Sequence, residues 1–339
     1  MSTSMQMWKS RPVDTAHLSF AELHSTNTEK RRQSSEYVVS SRALRAIPDD
    51  DHHGLTIESR SGAKYTPTHW AFGQLCSRVG VPADYARTIP SELAADCINY
   101  GLGYTRQLED IGVMVRRNGA TTINAVTGPK YGRIWDEEVS SALIHHVDGN
   151  RWHFPGLYAS DRDMFCFAVD QNNPITVPGG NGRDTMLRGF FVWNSETGKS
   201  KFGMASFMLR SFCMNRTIFG MREFSEVSIR HTASAPDRML EEALPALRSY
   251  AEGSAAPIVK LIEDARQKRI DDPVDFLTTR FSKRLAPVLI ARHLEEEKRP
   301  VETIWDAVNA VTAHARTIEH QDARVEFERA SGDILKLAS

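Results

Sequence analysis

Residues 111–147 read IGVMVRRNGATTINAVTGPKYGRIWDEEVSSALIHHV, and their order decides the fold class. Ile111–Arg117 is short and β-branched, and a second such run, Ala120–Val126, follows Asn118-Gly119. Asn-Gly between two strand-like runs is the strongest local hairpin signal, because a type I′ turn needs positive φ at both central residues. The Gly128-Pro129 turn then leads to a helix starting at Asp136, with Val139, Leu143 and Val147 on one face. The stretch is therefore strand, turn, strand, helix.

Outward from this unit the pattern separates. Towards the C-terminus, "DMFCFAVD", "LRGFFVWNSET", "SKFGMASFMLRSFC" and "FSEVSIRHT" read as strands, with a Gly/Pro/Asn-rich loop after the first. From Ala235 to the end the blocks are amphipathic and begin mostly at Pro or Asp, so they read as helices. Towards the N-terminus, "EYVVSSRALRAI" and "LTIESRSGAKY" read as strands. "TPTHWAFGQLCSRVG" reads as a helix opened by Thr66-Pro67 and closed by Gly80, and short helices follow. Residues 1–35 are polar and read as a loosely ordered tail that includes Lys30-Arg31-Arg32.

The expected fold is α+β: a central antiparallel sheet with a strand-hairpin-helix core, then an all-helical C-terminal third whose helices cover one sheet face. The expected divisions are a flexible tail at 1–35, a strand/helix subdomain at 36–110, a β-rich core at 111–234 and a helical region at 235–339.

The chain has 339 residues, 41% hydrophobic and 25% charged, with a formal net charge of −1. That excludes a strongly basic global footprint, so any nucleic-acid surface has to be local. The N-terminus lacks an apolar signal core, and no run of about 18–20 apolar residues suggests a bilayer span. A cytoplasmic protein without membrane contact is expected. Cys76, Cys97, Cys166 and Cys213 are scattered, which points to reduced, mostly buried thiols. The acidic loop Asp49–His53 and the pair His145-His146 lack a frame for metal ligands, and no metal or cofactor is expected. Hydrolase, metalloprotease and nucleotide-binding motifs are absent from the sequence. His231 at a strand end is a candidate general base without a carboxylate neighbour in the sequence, so an enzyme is not favoured.

One local feature points to binding. From Arg183 to His231 there are eight basic residues and four acidic ones. Aromatics are interleaved, as single-strand binding requires: cations for phosphates, flat faces for bases. The candidate phosphate holders are Arg188, Lys199, Lys201, Arg210, Arg216 and Arg230, joined by Arg116, Arg117, Lys130 and Arg133 at hairpin ends. Phe191 and Trp193 are the stacking candidates. Strict alternation in Lys201–Phe212 puts aromatics on both sheet faces, so most of them belong to the core.

The motifs "HWAFGQLCSRVGVPADYARTIP", "YGRIWDEEV", "RSFCMNRTIFG", "SIRHT" and "TIWDAVNAVTAHAR", in this order, resemble the phage/plasmid-like family known as domain of unknown function 932, over about residues 37–335. Arg210, Cys213 and Asn215 match its Arg-x-x-Cys-x-Asn motif, and Arg230, His231 and Thr232 its Arg-His-Thr. Arg216 stands where the family pattern carries a small Thr. The strand-hairpin-helix order is in turn similar to Rad52-type single-strand annealing proteins. The resemblance implies a mobile-element protein in a bacterial host that binds single-stranded DNA as a homo-oligomer and anneals it in recombination without ATP. The alternative is a protein-interaction or anti-defence factor that contacts a host protein.

Overall fold

The computed structural model describes residues 7–48, 54–104, 110–147, 149–177, 185–211, 214–218 and 227–339 except 244, 247–248, 250–253 and 255. Its strands in chain order are β1 Thr15–Ala16, β2 Ser34–Ser40, β3 Leu44–Pro48, β4 Leu55–Ser59, β5 Lys64–Pro67, β6 Asp110–Asn118, β7 Ala120–Thr127, β8 Trp152–Ala159, β9 Met164–Asp170, β10 Ile175–Thr176, β11 Thr185–Asn194, β12 Phe202–Arg210, β13 Asn215–Ile218 and β14 Val227–Ile229. Five helices punctuate them: α1 Phe20–Gln33, α2 His69–Val79, α3 Ala83–Ala86, α4 Ser91–Tyr104 and α5 Asp136–His146. Further helices, named below by their residues, form the C-terminal third. Mixed α+β is therefore the observed class. None of the described helices is long and apolar enough to cross a membrane.

The smaller sheet has the order β2-β6-β7-β5-β4-β3. Its two end strands are joined by residues 41–43 alone, a single 3₁₀ turn. A flat six-stranded sheet would hold its end strands five spacings, about 24 Å, apart. Four Cα steps span at most about 14 Å. The sheet therefore curls until its ends approach, and α2 and α4 fill the curl. Phe72, Leu75, Ile98 and Leu102 pack there against Ile57, Ile111, Val113 and Ile123. "EYVVSSRALRAI", expected as one strand, is thus two strands at opposite ends of one sheet, bent at buried Ser41.

The hairpin is present, with a tighter tip than a type I′ turn. Asn118 pairs with Ala120, Gly119 alone takes positive φ (69°), and Asn118 stays in the strand. Helix α2 starts two residues later than Thr66-Pro67 suggests, because both of those residues belong to β5. Thr68 is its N-cap, accepting from the Ala71 N–H, and Gly80 closes it in the left-handed region.

The larger sheet runs β1-β8-β9-β11-β12-β13, with β10 beside β11 and β14 beside β12. Every residue of β9 and β12 is buried, so both faces are covered and the strands read as continuous apolar runs. Leu23 of α1 and Val139 and Leu143 of α5 pack on the face of Cys166, Phe190 and Met204. On the other face, Val325 of the last helix, Gln321–Leu335, meets Phe167, Phe191 and Phe207. The helix Ile304–Ala315, buried at eleven of twelve positions, packs with its neighbours on Met186 and Met208. The C-terminal helices thus cover one face and also wrap the β13 edge.

Residues 7–35 are not a loose tail, which corrects the expected first division. Trp8 is buried against Phe72, ring centroids 4.6 Å apart. β1 pairs with β8. Ser19 caps α1 by accepting from the Glu22 N–H, and Leu23 and Asn27 face the core. Strand β8 was not expected because it holds Pro155, which the structure accommodates at a bulge between His153 and Gly156.

Candidate nucleic-acid interface

Most of the expected cationic strand surface is turned inward. Arg210 donates to the Glu297 carboxylate and, at 3.2 Å, to Asn309 Oδ1. Arg216 Nε donates to Glu328 Oε1 at 2.8 Å, and its guanidinium lies 3.7 Å from the Phe167 ring centroid. Lys199 sits between Asp163, at 3.1 Å, and Asp322. Arg133 donates to Glu36 at 2.7 Å, and Arg116 to Glu196 at 2.6 Å. Arg188 is buried. Phe191 is 0% exposed and Trp193 8%, with Arg329 lying 4.7 Å over the indole. Arg133, Arg188, Arg210, Arg216, Phe191 and Trp193 are buried, which removes them from any strand surface as placed, while Arg116 and Lys199 are half-buried and held by carboxylates. The physical reason is charge matching within the chain. The local basic excess faces Glu297, Asp322 and Glu328 of the C-terminal helices, which also accounts for the near-zero total.

Four of the expected cations stay exposed: Arg117, Lys130, Lys201 and Arg230. Arg117 is at the hairpin tip, bonded to Ser35 and the Tyr37 hydroxyl. The other three converge. The β12–β14 ladder pairs Phe202 with Ile229, so one step further Lys201 faces Arg230. Lys130 is in the turn closed by the Tyr131 N–H on Gly128 O, and the Tyr131 ring stacks on His231 at 5.0 Å. Thr232 is exposed beside them, Asn215 is buried, and Cys213 lies outside the described residues, as do Asp49–Asp50 and 51–53. Exposed aromatic rings occur elsewhere, at Tyr85 and at the Tyr100–Tyr104 pair stacked on α4.

His231 Nδ1 accepts the Ile134 N–H at 3.3 Å, which fixes the neutral Nε2–H tautomer. Burial pushes its pKa down to about 4, helped by the charge of Arg133. Between pH 6.5 and 4 the unfolded chain therefore binds a proton that the folded chain refuses, so stability falls on acidification through that window. His231→Asn is expected to flatten this loss by about 1–3 kcal/mol. The check is urea unfolding of both proteins at pH 7 and 4.5, where contributions from other groups cancel in the difference. Parallel pH profiles would show that His231 does not carry the effect.

A cationic recess opens where the two sheets meet, at a place not singled out as a site in the sequence. It holds about 410 Å³ and is lined by residues that include His69, Trp70, Gln74, Arg78, Arg87 and Arg162. Trp70, Gln74 and Arg78 recur at every fourth position and so share one face of α2. Arg87 follows α3, Arg162 comes from the β8–β9 turn, and Gly198 from the turn after β11. Trp70 Nε1 and Gln74 Nε2 both donate to Thr197 O, at 3.3 and 2.8 Å, and Gln74 Oε1 accepts the Val126 N–H. Arg78 Nε donates to Val126 O at 3.3 Å. Arg87 bonds the exposed carboxylate of Asp84 and the carbonyls of Trp8 and His69. Arg162 Nε bonds Asp161, whose other oxygen accepts the Trp70 N–H at the start of α2. Arg162 Nη2 lies 3.0 Å from His69 Nδ1. A guanidinium only donates, so Nδ1 is the acceptor and His69 is neutral with its proton on Nε2. Burial, then the charges of Arg87 and Arg162, push the His69 pKa down to about 4.

Beside the recess, buried Glu196 ties the sheets together by accepting from Arg116 and from the Asp136 N–H. Asp136 accepts from Asn194 Nδ2 at 2.7 Å, and burial, with the charge of Glu196, raises its pKa well above the ordinary carboxylate value. No group of three or more His, Cys, Asp or Glu side chains among the described residues gathers as a metal site.

A family model described as domain of unknown function (DUF932) matches residues 125–331. The match is narrower than the span of the quoted motifs. It takes in Arg162, Gly198 and the C-terminal helices, and leaves His69, Gln74, Arg78 and Arg87 outside. No curated protein matches the chain, and no solved structure does.

Proposed function

Since the chain belongs to the DUF932 family over residues 125–331, a family described by no activity, we propose its function from geometry: it binds single-stranded nucleic acid, DNA first among the candidates, along the line where its two sheets meet. The observation behind this is a run of six cations, Arg78, Arg87, Arg162, Lys130, Lys201 and Arg230, to which, among the described residues, only two carboxylates, Asp84 and Asp161, are bonded. Continuity follows from contacts. A Cβ on Gly128 would stand 3.9 Å from Arg78 Nη2, and one on Gly198 would stand 3.5 Å from the Tyr131 ring. Tyr131 stacks on His231, which is followed in space by Arg230 and Lys201. Lys130, Lys201 and Arg230 are exposed and Arg78 and Arg87 half-buried, so that counterions can be exchanged for phosphates along the run, while Arg162 is buried in the recess wall.

Fluorescence anisotropy with a labelled single strand of about 20 nucleotides tests the proposal. With three to six phosphates contacted, affinity is expected to fall roughly 20- to 300-fold between 50 and 200 mM salt. Arg78→Ala is expected to weaken binding about 5- to 10-fold at low salt with an unchanged melting temperature. Absence of binding at 50 mM, or binding insensitive to salt, overturns the proposal.

A further inference from the structure

The recess has a chemical bias that goes further than strand binding. Its polar groups are almost all donors. Gln74 and Trp70 are spent on Thr197 O and the Val126 N–H. Asp161 is taken by Arg162 and the Trp70 N–H. What remains to face a ligand is guanidinium N–H from Arg78, Arg87 and Arg162, the Nε2–H that the Arg162 contact leaves on His69, and the Ser77 hydroxyl. Base edges and sugar hydroxyls present donors as well as acceptors, and the Ser77 hydroxyl is the one side-chain acceptor left for them among the described lining residues. An oxyanion is acceptor-only.

Charge and shape narrow the class. Arg78 bonds a carbonyl and no carboxylate among the described residues, and the Asp84 partner of Arg87 is fully exposed at the rim. A phosphomonoester brings about −1.5 to −2 charges at pH 7, an internal phosphodiester one. The volume of about 410 Å³ is within the range of small-molecule sites and is roomy enough for a phosphate with its sugar. The recess is lined by α2, by Val126 of β7 and by the turns at Arg87, Arg162 and Gly198.

We propose that this recess is a phosphomonoester site, and, resting on the nucleic-acid reading, that it seats the phosphorylated end of a strand. The flanking cations Lys130, Lys201 and Arg230 then hold the following internal phosphates, and the end phosphate sets where the strand begins. A free mononucleotide presents the same chemistry, so the test has separate arms for the two sources.

Three oligonucleotides of one sequence, bearing a 5′-phosphate, a 3′-phosphate or neither, are titrated against wild type and Arg78→Gln. A nucleoside monophosphate and its nucleoside are compared as competitors and in thermal-shift measurements. One phosphorylated end is expected to bind about 5- to 10-fold more tightly than the unphosphorylated strand. Arg78→Gln should erase that preference, and only the monophosphate should compete. Equal binding of all three strands overturns the inference and leaves strand binding standing. No strand binding, with thermal stabilisation by the monophosphate alone, overturns the strand reading and keeps the site as a nucleotide site. No effect of any phosphate overturns both. If Arg78→Gln fails to fold, the wild-type comparisons decide.

Discussion

Replacing Arg216 by alanine is expected to destabilise the fold by about 3–5 kcal/mol, the range for removing one partner of a buried ion pair. The Arg216 side chain is 4% exposed and its partner Glu328 1%. Without the guanidinium, Glu328 keeps Arg324, which donates to the same oxygen at 2.8 Å, and loses its other charge. The Phe167 ring loses the cation stacked on it at 3.7 Å. β13 and the last helix, which this pair joins, lose their polar tie. Thermal unfolding followed by circular dichroism checks the result, with a fall of at least about 6 °C expected. Lys201→Ala, on the exposed end of the same sheet, is the control and should stay within about 0.5 kcal/mol. Were Arg216→Ala to keep wild-type stability and lose strand affinity, Arg216 would return to the list of ligand contacts.

That prediction shows where sequence reading reaches its limit. The hairpin and α5 are legible because Asn118-Gly119 and the Val139/Leu143/Val147 spacing are local signals. The C-terminal helices are legible for the same reason, with Pro and Asp at their starts. The use of the charges is not local. Arg216 finds Glu328 112 residues away, Lys199 finds Asp322 at 123, and Arg210 finds Glu297 at 87. A basic excess counted along the chain therefore says nothing about whether the fold supplies the matching acids. Alternation did place Phe202 and Phe207 on opposite faces, and both faces proved to be covered. Helix α1 was illegible for another reason: it buries only Leu23 and Asn27, too few apolar positions to give a period. The recess was half-legible. Trp70, Gln74 and Arg78 are visible as one helical face, but Arg87 and Arg162 arrive from separate turns that only the tertiary fold brings to His69.

Gly132→Ala is expected to be among the most damaging single-methyl changes in the chain. A Cβ at this position would stand 1.8 Å from Thr232 O, 2.2 Å from Thr232 C and 2.7 Å from Ala233 N. All three are backbone atoms, so no side-chain rotation relieves the clash and the 231–233 segment has to move. The Gly132 N–H donates to His231 O at 3.2 Å, and on either side Tyr131 stacks on His231 and the Ile134 N–H reaches its ring. Separating the two segments breaks these contacts together. The expected cost is about 3 kcal/mol, at the upper end for overpacking a tight site. The same displacement moves Arg230 away from Lys130, so strand affinity at low salt should fall several-fold in whatever protein remains folded. Gly103→Ala is the matched control: its Cβ would meet nothing within 4 Å, and alanine in helix α4 should be neutral or stabilising by up to about 1 kcal/mol. Urea unfolding gives the stabilities and anisotropy the affinities. If Gly132→Ala equals wild type in both, the close approach of these two segments is not what holds the exposed cations in line.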